Sequence, residues 1–173
     1  TRLAPLPPPA VMFDAFMARD ARLDGVFFTA VRTTRIFCRP SCPARKPRPD
    51  NVEFFRTAQE CLLAGYRPCL RCRPVDQDAP PEIQGLLEAL EREPGRRLTD
   101  GDLRARGLEP AFVRRWFNRH HGMTFHAFQR ARRLGGALQA LGAGASVEVT
   151  AWDHGWESTS GFDAAVRRST GAS

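Results

Sequence analysis

The sequence predicts two domains: a small α+β domain in residues 10–74 and an all-α domain of two helix-turn-helix units in residues 82–173. Four of the five cysteines form two short pairs in the first region. Runs of β-branched and aromatic residues, which favour strands, also occur there. The second region instead alternates amphipathic segments with glycine-containing turns, a pattern typical of helix-turn-helix pairs.

The first domain begins after a proline-rich stretch, residues 1–9, which we expect to be a disordered lead. Apolar residues at helical spacing then predict a helix within residues 10–25. The segment FFTAVRTTRIF (27–37) predicts a strand or a hairpin. The segment NVEFFRTAQECLLAGY (51–66) predicts a short strand that enters a helix ending at Gly65.

The second domain follows a polar, proline-containing segment, residues 75–81, which we interpret as a linker. One amphipathic helix comes first, and a helix pair with a tight turn at Gly107 follows it. A long connecting helix then leads to a second pair. The sequence of short helix, turn and amphipathic helix thus occurs twice, at 100–120 and at 146–170, which predicts a repeated helix-turn-helix unit.

The composition points to a polyanionic partner. The chain of 173 residues carries a net charge of +7 and has a pI near 10.1. Of its 26 basic residues only Lys46 is a lysine, and the planar guanidinium of arginine suits phosphate. No apolar run reaches the length of a membrane span. We therefore expect a nucleic acid as partner, no membrane, and a cytosolic location.

The positive charge is unevenly distributed. Residues 1–75 hold 13 basic and 6 acidic groups, and residues 96–133 hold 10 basic and 3 acidic groups. Residues 134–173 hold only 2 basic and 4 acidic groups. The cysteine domain and the first helix-turn-helix unit therefore carry the positive field, and the second unit does not.

The cysteines have the spacing of a metal site. Cys38 and Cys42 form one pair, and Cys69 and Cys72 form another after an intervening stretch long enough to fold. Two such pairs suit one tetrahedral Zn²⁺ held by four thiolates. Cys61 lies within a predicted helix beside leucines, so we interpret it as a core residue.

The zinc site could be structural or reactive. Most four-cysteine sites are closed and structural. Four thiolates on Zn²⁺, however, leave a charge of about −2, so a ligand sulfur keeps enough electron density to attack an electrophilic carbon. A collar of basic residues surrounds both cysteine pairs and could hold a DNA backbone against the site: Arg35, Arg39, Arg45, Lys46, Arg48, Arg67, Arg71 and Arg73. A methylated phosphate would then be a natural target, since it is an electrophile that has lost its charge.

These residues resemble a known family. The pattern V-R-T-T-x-I-F-C-R-P-x-C, the following A-R, N-V-x-F-F and R-P-C-x-R-C, within residues 24–74, resembles the N-terminal domain of the Ada family of adaptive-response proteins. Residues 82–173 resemble the AraC-type double helix-turn-helix domain that follows it in that family.

The resemblance implies a single-turnover methyltransferase that repairs DNA methylphosphotriesters. It implies that Cys38 is both a zinc ligand and the methyl acceptor, and that the remaining ligands are Cys42, Cys69 and Cys72. It further implies that Arg45 helps to hold the DNA backbone, that Thr34 lies in the same DNA-facing loop, and that no small-molecule cofactor is needed.

The resemblance also implies a switch. Methylation of Cys38 would change the charge of the site from about −2 to about −1, because a thioether is neutral. The methylated protein would then bind promoters more tightly and activate genes for alkylation repair, with RNA polymerase as partner. The resemblance thus implies double-stranded DNA as partner and a bacterial cytoplasmic location on the nucleoid.

In the first helix-turn-helix unit, Val113, Trp116 and Phe117 share one helical face and predict a core. By default we also assign Trp152 and Trp156 of the second unit to a core. The remaining polar residues of the 109–121 helix are candidates for the DNA major groove: Arg114, Arg115, Asn118 and Arg119. Arginines at the start of the connecting helix could meet phosphates: Arg130, Arg132 and Arg133.

Two alternatives remain open at the level of sequence. The chain could be a DNA-binding transcription regulator whose zinc is only structural. It could also be the regulatory front of a protein that continues with a guanine-methyltransferase or glycosylase domain. The chain contains no Pro-Cys-His-Arg active-site motif and ends inside a motif that is usually longer, so we expect it to be part of a longer protein.

Overall fold

A computed structural model describes residues 4–170 and divides the chain into two compact units. The first runs to Cys61 and resumes over Tyr66–Asp78; the second contains Leu62–Gly65 and the chain from Ala79 onward. The boundary between the two units after Asp78 thus lies within the proposed linker, residues 75–81. Within the described residues, no helix combines the length and the apolar character needed to cross a bilayer.

The first unit is built on a four-stranded sheet with the order β3-β1-β2-β4. Strand β1 pairs antiparallel with both β2 and β3, whereas β2 and β4 are parallel. The predicted hairpin and the strand-to-helix segment are both present. The helices and strands of this region are α1 (Pro9–Met17), β1 (Phe28–Val31), β2 (Ile36–Cys38), β3 (Val52–Phe55), α2 (Ala58–Leu63) and β4 (Arg67–Pro68).

Helix α1 packs on this sheet through a small aromatic core. Phe27, just before β1, is fully buried against Met12 and Ala15 of α1, and its ring meets Phe54 of β3 edge-on. The proposed disordered lead falls outside the described residues at positions 1–3, but Leu6 packs against this core. Burial of its apolar side chain holds Leu6 in place, although it lies within a proline-rich stretch.

The second unit is all helical, as the sequence predicts. Its helices are α3 (Pro81–Arg92), α4 (Asp100–Ala105), α5 (Pro110–His121), α6 (Phe125–Gly142), α7 (Val147–Asp153) and α8 (Thr159–Thr170). Helix α4 begins with a capping box in which Thr99 and Asp102 bind each other's backbone N–H. Thr124 and Ser146 cap α6 and α7 in the simpler way, through their hydroxyl oxygens.

The helix-turn-helix repeat is visible in the backbone. Gly107 between α4 and α5 and Gly155 between α7 and α8 have φ angles of +75° and +78°. In each turn the residue after the glycine donates its N–H to the carbonyl five positions earlier, at 2.9 Å. Both turns therefore use the same glycine-dependent helix ending.

The core of the first pair is as predicted, but one core assignment in the second pair is wrong. Val113, Trp116 and Phe117 are buried, and the Phe117 ring lies 5.2 Å from the rings of α6 that cover it. Trp156 packs on Phe162 of α8, but the side chain of Trp152 is 61% exposed. Spacing alone cannot show which face of a short helix such as α7 is covered.

The turn glycine should be needed for its backbone conformation and not for lack of space. A Cβ at Gly107 would meet nothing within 4 Å, and the same is true at Gly85 in the middle of α3. Gly107→Ala should destabilise the helical unit by about 1–2 kcal/mol, the cost of a left-handed alanine. Gly85→Ala should stabilise it by about 0.5–1 kcal/mol, because alanine loses less entropy in a helix.

Urea unfolding of the two variants, followed by helical circular dichroism, measures both effects. If both substitutions changed the free energy of unfolding in the same direction, the assignment of backbone strain to Gly107 would be contradicted.

Candidate metal centre and basic cleft

Sheet pairing brings the two cysteine pairs together. Cys38 ends β2, and Cys69 directly follows β4, its parallel neighbour. The backbone N–H of Cys69 donates to the Phe37 carbonyl at 3.0 Å, which continues the pairing to the cysteines. Cys42 and Cys72 follow in tight turns, so all four side chains converge on one point.

The four sulfurs fit a tetrahedral metal ion. Their Sγ atoms all lie within 4.8 Å of one another, and Cys42 and Cys69 are 4.0 Å apart. Zinc–sulfur bonds of about 2.3 Å in a tetrahedron require sulfurs about 3.8 Å apart, close to this arrangement. All four are buried, whereas Cys61, equally buried, stands outside the group, as predicted.

Without a cation such a cluster cannot ionise fully. Hydrogen bonds with the neighbouring sulfurs, first that of Cys42, and then burial raise the pKa of the Cys38 thiol far above its ordinary value. A divalent cation reverses this preference, since coordinating thiols lose their protons. Burial also raises the pKa of the Cys61 thiol, which keeps that residue inert.

Backbone hydrogen bonds distinguish Cys38 from its neighbours. The N–H of Arg39 donates to Cys72 Sγ and the N–H of Arg71 donates to Cys69 Sγ, both at 3.4 Å. Within residues 4–170 no backbone N–H is bonded in this way to Cys38. Donors withdraw electron density from a thiolate, so Cys38 keeps more nucleophilic character than Cys69 or Cys72.

Cys38 and Cys69 lie on the wall of a cleft of about 620 Å³, which we call the basic cleft. Cys42 and Cys72 are not on its surface. Apolar side chains line part of it, including Phe16, Ile36 and Leu70. Five basic residues and two threonines complete the wall: Thr33, Thr34, Arg45, Lys46, Arg48, Arg67 and Arg71. A sulfur ligand thus opens onto a surface suited to an anionic backbone.

Most of the residues that the sequence analysis assigned to DNA on the cysteine domain therefore share one cleft. Lys46 occupies a defined place there, because its Nζ lies 3.6 Å from the centre of the Phe16 ring and donates to the Cys42 carbonyl at 3.0 Å. Burial lowers the pKa of Lys46. The sequence showed its charge but not this contact with the aromatic ring.

Arg39 has an internal role that the sequence analysis missed. Its side chain is only 15% exposed, and its guanidinium donates to the Cys72 carbonyl at 2.5 Å and pairs with Asp24 at 3.4 Å. Asp24 also accepts hydrogen bonds from the backbone and hydroxyl of Ser41. Arg39 ties the two cysteine loops together, so we withdraw it as a DNA contact.

Arg35 is also engaged within the fold. It has a φ angle of +56°, and its guanidinium lies 4.6 Å from the centre of the Tyr66 ring. The hydroxyl of Tyr66 in turn donates to Glu53 of β3. Tyr66 and Glu53 had no signal in the sequence, since neither belongs to a motif of metal or phosphate binding.

The candidate residues of the second unit lie on one helix. The buried face of α5 carries Val113 and Phe117, and the four DNA candidates are all exposed on the rest of its surface: Arg114, Arg115, Asn118 and Arg119.

Family comparisons agree with both halves. Residues 11–75 match a family model described as the metal binding domain of Ada, and residues 104–173 match a helix-turn-helix domain. The match to the first model and the geometry of the four cysteines identify a tetrathiolate zinc site.

Several known proteins are similar to this chain. The bifunctional transcriptional activator/DNA repair enzyme Ada of Escherichia coli K12 is 37% identical over 87% of this chain and 43% of its own length. The bifunctional activator and repair enzyme AdaA of Bacillus subtilis is 41% identical over 39% of this chain and 32% of its own length. The chain therefore spans less than half the length of these relatives.

A crystal structure of the methylated N-Ada/DNA complex is 37% identical, with 73% of this chain and 98% of that chain aligned and a TM-score of 0.40. From the family matches and the four-cysteine site we conclude that the chain belongs to the Ada family and carries its metal-binding domain followed by an AraC-type helix-turn-helix domain.

Proposed function

We propose that this chain repairs DNA by taking a methyl group from a methylphosphotriester onto Cys38, and that it then acts as a transcription activator. The observation that carries the proposal is the position of Cys38. It is the ligand that both opens onto the basic cleft and lacks a backbone hydrogen bond to its sulfur. The names of the relatives, which join DNA repair to transcription activation, support the same reading.

The bound zinc ion supplies one thing to this chemistry, which is a set of thiolates that stay deprotonated at neutral pH. The residues of the chain do the rest. The Cys38 sulfur attacks the methyl carbon in line with the departing phosphate oxygen. A carbon–sulfur bond forms and the carbon–oxygen bond breaks, so the electron pair remains on the phosphate oxygen.

Charge is conserved in the reaction. The phosphotriester, neutral at the damaged phosphate, becomes an ordinary anionic diester. Cys38 becomes a neutral thioether, and no proton is transferred. Because no step in this scheme regenerates the thiolate, each chain reacts once.

The walls of the basic cleft would place the backbone. Arg45, Lys46 and Arg67 line the same cleft as Cys38, where they would pair with the charged phosphates on either side of the damaged one. The methylated phosphate carries no charge, so it can approach the anionic cluster. The apolar patch of Phe16, Ile36 and Leu70 offers contact to its methyl group.

Methylation would also strengthen DNA binding. The charge of the cluster falls by one unit, and a phosphate about 8 Å away gains about 0.5 kcal/mol at ε 80 and about 2 kcal/mol at ε 20. Several phosphates contribute, so the affinity can rise by a power of ten or more without a change of conformation. Promoter binding through α5 and contact with RNA polymerase would complete activation.

The alternative function is a DNA-binding regulator with a purely structural zinc ion. The burial of all four sulfurs and the network around Arg39 favour it, since both are features of a closed site. It predicts that no cysteine accepts a methyl group.

Methyl transfer should be confined to Cys38. Zinc-loaded protein mixed with methylphosphotriester-containing duplex should gain one methyl group by intact mass, and peptide mapping should place it on Cys38. Cys38→Ser should gain none. Cys61→Ser is the matched control and should react like the wild type, because that thiol is buried outside the metal group.

Because Cys38→Ser also removes a ligand, the map of the wild-type protein is the decisive measurement. A methyl group on Cys69, or no transfer by zinc-loaded protein that still binds DNA, would refute the assignment.

Methylated protein should bind duplex DNA at least about tenfold more tightly than unmethylated protein at low salt, because one negative charge is removed near several phosphates. The gain should shrink as salt rises, since exposed charges are screened. Fluorescence anisotropy with an undamaged duplex, before and after methylation, measures both effects. Equal affinities, or a gain that salt does not change, would rule out an electrostatic switch.

A further inference from the structure

The second unit contains a separate, strongly basic cleft; the sequence analysis named two of its arginines, Arg130 and Arg133, but not the cleft or its other residues. It has a volume of about 380 Å³, and its wall includes Arg97, His126, Arg130, Arg133 and Arg168. Arg97 precedes α4, the next three belong to α6, and Arg168 lies on α8. We call it the inter-motif cleft, because the connecting helix α6 between the two helix-turn-helix pairs contributes most of its basic residues.

Three of the arginine charges of this cleft are not compensated. Within residues 4–170, the side chains of Arg97, Arg130 and Arg168 form no ion pair or hydrogen bond, although all three residues are exposed. His126 differs, since its Nε2 is bonded to Asp100 Oδ1 at 2.8 Å. Adjacent or nearby arginines are instead each paired with an acid: Arg96 with Glu93 at 3.2 Å, Arg132 with Glu91 at 2.9 Å and Arg167 with Asp163 at 2.9 Å. The fold thus pairs the arginines beside the cleft with acids and leaves three of those inside it, Arg97, Arg130 and Arg168, available to a ligand.

The position of Arg97 is fixed by its neighbours. The buried amide of Gln129 holds the backbone of Leu98 at both ends, accepting its N–H at 2.8 Å and donating to its carbonyl at 3.0 Å. On the other side Gly95 lies so close to Gly155 that a Cβ on Gly155 would stand 2.0 Å from the Gly95 carbonyl oxygen. The segment just before α4, which contains Arg97, is thus held against the turn of the second pair.

Arg133 forms the floor of the cleft. One of its terminal nitrogens donates to the Gly155 carbonyl at 2.8 Å, and its guanidinium stacks 4.6 Å from the centre of the Trp156 ring. Its Nε is buried and has no hydrogen-bond partner. Burial lowers the pKa of Arg133, and the positive charges of Arg97 and Arg130 lower it further. An anion in the cleft would relieve this repulsion.

We propose that the inter-motif cleft binds a phosphate group, and that the backbone of duplex DNA is its favoured source. Arginine forks match the oxygens of a phosphate, and here they converge from three elements of the fold. A phosphate between Arg97 and Arg168 would tie the segment before α4 and helix α8 to one point of the duplex. The DNA source rests on the proposed function, whereas the affinity for phosphate does not.

The cleft also gives the second pair a role on DNA. Residues 134–173 hold only two basic residues, Arg167 and Arg168. Arg167 is paired with Asp163 on the surface, and Arg168 faces the cleft. The contribution of the second pair to binding is therefore concentrated in one arginine, in spite of its net negative charge.

The chain offers its own matched control for a test. Arg97→Gln/Arg168→Gln removes two charges from the cleft, and Arg96→Gln/Arg167→Gln removes two neighbouring charges outside it. The affinity of the zinc-loaded full chain for an undamaged duplex is measured by anisotropy over a range of salt. Helical circular dichroism checks that each variant is folded.

The cleft variant should lower the slope of log affinity against log salt by about 0.9, the contribution of one phosphate contact, and weaken binding about eightfold at 0.1 M salt. The control should keep the wild-type slope. Equal slopes for the two variants, while the wild type binds DNA, would overturn the DNA source and leave the proposed function intact. Absence of DNA binding by the wild type would instead refute the proposed function.

A second measurement tests the phosphate chemistry without DNA. Inorganic phosphate, compared with chloride at equal ionic strength, should raise the Tm of the wild type and of the control but not that of the cleft variant. A changed salt slope without this shift identifies the DNA backbone as the source, and the shift without a changed slope identifies free phosphate. If neither differs between the variants, the cleft is not a phosphate site.

Discussion

The convergence of four sulfurs on one point is the constraint on which the first unit depends. Two of them lie at the ends of adjacent parallel strands, so the pairing of β2 with β4 and the metal site require each other. A two-residue strand such as β4 has little stability of its own. The internal ties of Arg39 to Cys72 and Asp24 then hold the loops that carry the remaining ligands.

The same constraint makes the four sulfurs unequal. The sulfurs of Cys69 and Cys72 accept hydrogen bonds from backbone N–H groups. The N–H of Arg39, which follows Cys38, donates to Cys72 and not to Cys38. Cys38 is left with the fewest competing hydrogen bonds at the place where the buried cluster meets the basic cleft. Under the proposed function, one set of ligands would serve both as a structural zinc site and as the source of a nucleophile, because two of the four buried cysteines also line a cleft.

Positive charge is used in two ways in this chain. Some arginines bind groups within the fold. Arg39 binds a carbonyl and a carboxylate group, and Arg132 pairs with Glu91. Others stay unpaired on concave surfaces, where a focused field can attract a polyanion. Net charge along the sequence did not separate these uses. It placed the second helix pair among the acidic segments, although Arg168 of that pair faces the inter-motif cleft.

Local rules were enough for much of the fold. Strand and helix assignments such as β1 to β3 and α3 to α8 followed from periodicity, caps and turn glycines, which act over a few residues. The ligand set followed from spacing, and so did the separation of Cys61. Trp152 was misassigned because burial on a short helix depends on what covers it, and Arg39 because its partner Asp24 lies before a different strand.

The sequence by itself determined the order of domains, the zinc ligands, the repeated helix-turn-helix unit and the affinity for polyanions, because each depends on spacing or composition. Only the tertiary structure decided which two of the cysteine ligands line a cleft, which arginines bind groups within the fold and which line a cleft together. These depend on distances between residues far apart in the chain, such as Arg97 and Arg168, and no local pattern encodes them.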